Sequence, residues 1–149
     1  MKLSKNLTLA EVVRSETAKR IGIDNTPSQE HLDNLKTIAK EIFQPIRDHF
    51  KKPIHISSGY RSERLNSSLK GTSKTSQHMT GEALDIDNDG TGVSNLEIFQ
   101  FIKDNLDFDT LIWEFGNDES PDWIHVSYRN GRPQRNRVLK ATKNGYEQL

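Results

Sequence analysis

The chain contains 149 residues and has no net formal charge, with 21 basic and 21 acidic side chains. This length predicts one domain with its own core, and the charge balance argues against a nucleic-acid-binding protein, which usually has a basic excess. The sequence has no cysteine, which excludes disulfides and thiolate metal sites.

Helical signals dominate the first third of the chain. Thr8 followed by Glu11 forms a capping box, which predicts a short helix that is broken by Gly22. Over residues 28 to about 50, apolar side chains recur three and four positions apart, which predicts a longer helix. Pro45 lies inside this helix and is expected to kink it or open it locally.

Strand signals appear in the middle of the chain. We predict a short strand over residues 54–57, then a turn and a helix over 61–69. A loop rich in Gly, Ser, Thr and Lys covers residues 70–77. The alternating segment 82–87 then predicts a strand with Asp85 on the same face as Ala83 and Asp87.

The remaining elements complete an α+β pattern. Ser94 is a helix cap for a segment that runs to about 106, and strands are predicted over 110–114 and 123–128, with an edge strand at 138–141. We expect helices packed on one side of a small, mainly antiparallel sheet. Residues 1–149 would form a single domain, with a helical part at about 7–52 and a sheet part at about 53–141.

Two histidines and one aspartate have neighbours that suggest a metal site. His78 and Asp85 lie seven residues apart, and His125 lies on a later predicted strand. Two imidazoles and a carboxylate suit zinc, and three protein ligands leave a fourth tetrahedral position open, as in catalytic sites. Taken alone, the spacing leaves the choice between a zinc site and ordinary polar residues open.

Acidic residues near these ligands have two interpretations each. Asp122 precedes His125 by three residues and is a candidate general base, or else an exposed loop carboxylate. The segment from Asp85 to Gly90 opens like a calcium-binding loop, but its twelfth position is Leu96 in place of glutamate. We interpret it as an incidental acidic turn. Weak calcium binding by Asp87 and Asp89, or hydrogen bonding to a metal-ligating histidine, is the alternative.

The segment 129–143 is strongly basic. It holds six arginines and lysines and no acidic residue. We interpret it as a solvated C-terminal edge, and attraction to a polyanion is the alternative.

Three short segments, in the same order, resemble one enzyme family. Residues 76–85 match the pattern SxHxxGxAxD, residues 122–125 match [DE]xxH, and residues 58–61 match SG[YF]R. The sequence is therefore similar to the zinc D-alanyl-D-alanine carboxypeptidases and the related phage L-alanyl-D-glutamate endopeptidases, over roughly residues 7–128. The resemblance implies the hedgehog/DD-peptidase fold, with the metal on the open face of the sheet.

The resemblance also implies roles for individual residues. It makes His78, Asp85 and His125 the ligands of one Zn²⁺ per chain and Asp122 the catalytic base. Arg61 would orient the substrate and stabilise developing negative charge, and Ser76 would lie near the substrate. Trp123, two residues from His125, is either a core residue or part of the substrate groove.

The expected function is hydrolysis of peptide bonds in the stem peptides of bacterial peptidoglycan. The enzyme would be a phage or prophage endolysin-type endopeptidase or a D-Ala-D-Ala carboxypeptidase; the alternative is a non-catalytic phage structural or wall-binding module that retains the fold. We expect a monomer that does not bind nucleic acid or insert into membranes. The N-terminus lacks the pattern of a signal peptide. We therefore expect a cytoplasmic protein that reaches the cell wall after holin-type release or from a virion.

Overall fold

A computed structural model describes residues 1–149 as helices packed against one face of a six-stranded sheet. The helices are α1 (Leu9–Val13), α2 (Glu16–Ile21), α3 (Gln29–Ile38), α4 (Gln44–Phe50), α5 (Glu63–Ser68) and α6 (Asn95–Asn105). The strands are β1 (Lys2–Ser4), β2 (Leu7–Thr8), β3 (Ile56–Ser58), β4 (Ala83–Ile86), β5 (Thr110–Glu114), β6 (Trp123–Ser127), β7 (Arg137–Thr142) and β8 (Gly145–Gln148). None of the helices has the length and apolar character needed to cross a membrane.

The large sheet has the order β3-β4-β6-β5-β7-β8, and β1 pairs with β2 separately. All neighbours in the large sheet are antiparallel except β5 and β7, which are parallel. The predicted α+β class with a mainly antiparallel sheet is therefore confirmed. It agrees with a hedgehog/DD-peptidase-like fold.

The two faces of the central strands differ in chemistry. Successive strand residues point to opposite faces of a sheet. The helix-facing side carries buried apolar residues of the core, namely Leu84, Ile86, Leu111, Trp113, Ile124 and Val126. The opposite side carries Asp85, Glu114 and His125 in an open cleft. The sheet therefore separates the core from a polar surface.

Caps and a proline shape the helical part. The Thr8 side chain accepts a hydrogen bond from the Glu11 backbone, as predicted, but the segment up to Gly22 forms two helices, α1 and α2. A π-helical turn, Ala39–Phe43, lies between α3 and α4 and directly before the first turn of α4, which contains Pro45. The predicted local opening near Pro45 is confirmed. Ser94 caps α6, also as predicted.

The C-terminal part of the sheet corrects one prediction. The strand predicted at 138–141 exists as β7, but it is not an edge strand, because it lies between β5 and β8. β8 was missed: every residue of this strand is exposed, so no buried apolar face gives the alternating pattern that predicts a strand.

Candidate metal site and cleft

Three side chains from three separate elements meet on the open face of the sheet. His78 lies on a 3₁₀ turn (Gln77–Thr80), Asp85 on β4 and His125 on β6. Their ligand atoms all lie within 4.8 Å of one another. Asp85 and His125 are brought together by the strand register, in which their Cα atoms are partners. The structure thus assembles the three residues that the sequence suggested as ligands.

Backbone and hydroxyl contacts fix the position of His78. Its Nδ1 donates a hydrogen bond to the carbonyl oxygen of Gly59 at 2.6 Å. Its backbone N–H donates to the Ser76 hydroxyl at 3.2 Å, and its carbonyl accepts from the Arg61 backbone at 3.0 Å. Because Nδ1 carries the proton in this arrangement, the lone pair of Nε2 is directed away from Gly59.

The donor set fits a metal ion. His78 is 1% exposed, and its Nε2 has no hydrogen-bond partner although it lies 3.2 Å from Oδ1 of Asp85. Nδ1 of His125 lies 3.0 Å from the same oxygen. Burial alone would raise the pKa of Asp85, but the imidazoles of His78 and His125 hold it well below its usual range. A buried, unpartnered nitrogen beside an ionised carboxylate is satisfied by a cation placed between them.

The cleft around these residues has a volume of about 1140 Å³. Of the other residues with a predicted role, Arg61, Ser76 and Trp123 line it. Nη2 of Arg61 donates a weak hydrogen bond of 3.4 Å to the Ser76 hydroxyl, and its buried Nε has no partner. Burial lowers the pKa of Arg61, an effect that the charge of Asp85 opposes. The guanidinium of Arg61 therefore lines the cleft as a positive charge that has no carboxylate partner.

Trp123 belongs to the wall of the cleft. It is half-buried and stacks at a tilt on Phe115, with the ring centroids 5.5 Å apart. Trp113, in contrast, is a core residue that packs edge-to-face on Phe99. Trp123 therefore lines the cleft, and its contact with substrate stays a prediction.

A carboxylate that the motifs did not indicate faces the ligands. Glu114, the last residue of β5, lines the cleft and is only 8% exposed. Burial raises the pKa of Glu114 to about 7; the charge of Asp85 adds to this effect and that of His125 opposes it. Residues 110, 112 and 114 of β5 share the cleft face, and the register places Glu114 beside Trp123.

Asp122 lies outside the set that the structure brings together. It is exposed, precedes β6 and does not line the cleft. Its backbone N–H donates to the carbonyl of Glu114, and its own carbonyl accepts from the Asn95 side chain. These contacts fix the backbone of Asp122 at the start of β6.

The acidic turn after Asp85 has a structural role. Oδ1 of Asp89 accepts from the backbone N–H of Asn95, and Oδ1 of Asp87 accepts from the Asn95 side chain. Neither aspartate belongs to a cluster that could hold a metal ion. The turn therefore anchors the start of α6 through these two hydrogen bonds.

A comparison with protein families gives a match over most of the chain. A family model described as Peptidase M15 matches residues 5–127. This region includes all three candidate ligands, Arg61 and Glu114, and it ends before β7. Comparison with curated proteins gives no match.

Proposed function

This chain belongs to the peptidase M15 family of zinc peptidases, and on that premise we propose that it hydrolyses peptide bonds in the stem peptides of bacterial peptidoglycan. The observation that carries the proposal is the meeting of His78, Asp85 and His125 in an open cleft that also contains Glu114 and Arg61. His78, Asp85 and His125 would hold one Zn²⁺. The ion, when bound, would supply Lewis-acid activation of water and of the scissile carbonyl.

We assign the general base to Glu114 in preference to Asp122. A base near neutrality must lie within reach of the water that it deprotonates, and its pKa should be close to the working pH. Two observations support Glu114: it lines the same cleft as the ligands, and burial raises its pKa to about 7 in the metal-free protein. The carboxylate of Glu114 would accept a proton from the attacking water and deliver it to the departing amine. Asp122, exposed and outside the cleft, remains the prediction from the sequence pattern.

Arg61 would stabilise negative charge on the substrate. Its guanidinium has no carboxylate partner in the structure and is oriented by the Ser76 hydroxyl. A planar guanidinium can bind both oxygens of a substrate carboxylate, or it can stabilise the oxyanion that develops as the peptide bond is attacked. Ser76 would act through Arg61 and His78, and the Trp123 ring would form an apolar wall for the peptide.

Two variants of this activity differ in the bond that is cut. An endopeptidase of the endolysin type would cut inside the stem peptide, whereas a carboxypeptidase would release a terminal D-alanine. Digestion of purified peptidoglycan by the zinc-loaded protein, followed by mass spectrometry of the released fragments, separates them. We expect stem-peptide fragments or free D-alanine, and none after the metal is removed by a chelator. Absence of any product from zinc-loaded, folded protein would contradict the proposal.

A further inference from the structure

One wall of the cleft is built by a strand that lies beyond the family match. The match ends at residue 127, and β7 begins at Arg137. β7 pairs in parallel with β5, so Arg137 lies beside Thr110, and both residues line the cleft. The family relationship therefore assigns no role to this wall.

Arg137 differs from the neighbouring arginines in its partners. The other arginines of this C-terminal segment are paired with buried carboxylates: Arg129 and Arg135 with Asp109, and Arg132 with Glu82. Arg137 takes part in no ion pair of the structure. Arg137 is exposed and lines the cleft, so it presents there a positive charge that no carboxylate of the structure pairs.

A buried hydroxyl orients the guanidinium of Arg137. Oγ1 of Thr110 accepts hydrogen bonds from Nε at 3.2 Å and from Nη2 at 2.9 Å, and Thr110 is only 3% exposed. These bonds occupy one edge of the guanidinium. The edge formed by Nη1 and the second hydrogen of Nη2 remains free, and it matches the two oxygens of a carboxylate.

The sheet register sets the distance from this free edge to the metal ligands. Thr110 pairs with Ser127, which lies two residues after His125 on β6. With about 4.8 Å between strands and about 3.4 Å per residue, the Cα atoms of Arg137 and His125 lie roughly 12 Å apart. An extended peptide covers such a distance in a few residues.

We propose that Arg137, held by Thr110, is a specificity residue that binds a free carboxylate of the substrate within a few residues of the cleaved bond. The inference rests on the proposed peptidase function and adds to it a residue that recognises a substrate carboxylate. It also gives the basic C-terminal segment a second role beside that of a solvated edge.

The proposal is tested with one stem peptide in two forms. In one form the α-carbon of its D-glutamate carries a free carboxylate, and in the other it carries an uncharged carboxamide. For each form, kcat/KM of the zinc-loaded protein and the dissociation constant for the metal-free protein are measured. We expect the wild type to prefer the carboxylate form in both measurements. Arg137→Ala should lower binding and kcat/KM for that form by about 10- to 100-fold, as expected for a charge-assisted pair, and leave the amide form nearly unchanged. Arg137→Lys should recover part of the loss.

The control variant is Lys103→Ala, which removes one positive charge from an exposed position on α6, outside the cleft. It should retain the wild-type preference. If both peptides are cut and Arg137→Ala leaves the preference unchanged, the carboxylate site is wrong and the peptidase function stands. If neither is cut but the carboxylate form binds better through Arg137, the site stands and the proposed function is wrong. Equal binding of both forms to the wild type also overturns the site.

Discussion

Asp85 and His125 are register partners on adjacent antiparallel strands, and Oδ1 of Asp85 lies 3.0 Å from Nδ1 of His125. The same oxygen lies 3.2 Å from Nε2 of His78. Two of the candidate ligands are therefore positioned by the hydrogen-bonding pattern of the sheet itself. Only His78 depends on a turn for its position.

The first prediction is that one zinc ion binds per chain. Metal analysis of protein purified without added zinc should give a stoichiometry near one. His78→Ala, Asp85→Ala and His125→Ala should each lower zinc affinity. Zinc should also raise the melting temperature of the wild type, because a ligand that binds only the folded state stabilises it. The control His55→Ala, outside the cluster, should bind zinc like the wild type. Equal zinc binding by the Asp85→Ala variant would contradict the assignment.

The second prediction separates the two candidate bases. Glu114→Gln should lower turnover by about two to four orders of magnitude, as expected for the loss of a general base. Asp122→Asn should stay within a few-fold of the wild type. Both variants should keep zinc, since neither residue is a proposed ligand. The reverse result, with activity lost only in the Asp122 variant, would restore the prediction from the sequence motif.

The third prediction concerns pH and the stability of the metal-free protein. The pKa of Glu114 is raised from 4.5 to about 7 in the folded state. The folded protein thus retains a proton that the unfolded chain releases between these values, and this contribution to stability is lost as pH rises through that window. Relative to Glu114→Gln, the wild type should lose stability between pH 5 and pH 8 in urea unfolding.

A matched variant controls for the chemical change in that experiment. Glu119→Gln alters an exposed glutamate in the loop after β5. Its stability should follow that of the wild type across the same pH range. If the Glu114→Gln curve also runs parallel to the wild type, Glu114 does not hold a proton in the folded state.

The fourth prediction is that Arg61 acts on the substrate. Arg61→Ala should affect both KM and kcat, and Arg61→Lys should recover only part of the activity, because lysine keeps the charge and loses the planar fork. Arg61 has no carboxylate partner, so its substitution breaks no ion pair, and we expect the protein to stay folded in thermal unfolding. Arg64→Ala, an exposed change on α5, is the control. An unfolded Arg61→Ala variant with normal specific activity in its folded fraction would make Arg61 structural.

Local signals in the sequence were sufficient for several features. The caps at Thr8 and Ser94 and the opening near Pro45 depend on residues a few positions apart, so they could be predicted directly. The family motifs also named His78, Asp85 and His125, which meet in the structure, although their spacing alone left the choice between a metal site and ordinary polar residues open. The strand bounds Thr110–Glu114 followed from a compact apolar run.

Features that depend on strand order could not be predicted in the same way. Glu114 faces the ligands because β5 lies next to β6. No residue near Glu114 in the sequence indicates that β6 is the neighbouring strand. Likewise, Arg137 lines the cleft because β7 inserts beside β5 instead of at the edge. The pairing of strands far apart in sequence decides both positions. From the sequence alone, a basic segment or a single glutamate shows its charge but not which strand or cleft it faces.

The partner of His78 on its non-ligand side is the carbonyl of Gly59, and a carbonyl has consequences that a carboxylate would not. No substitution of a side chain removes it, and it does not titrate in the working pH range. It can be displaced only by moving the backbone, which is fixed on α1: a Cβ at Gly59 would lie 2.5 Å from the carbonyl oxygen of Val12. Mutations can therefore weaken this support of the site only by disturbing the contact between Gly59 and α1, either from the helix or through a side chain added at Gly59 itself.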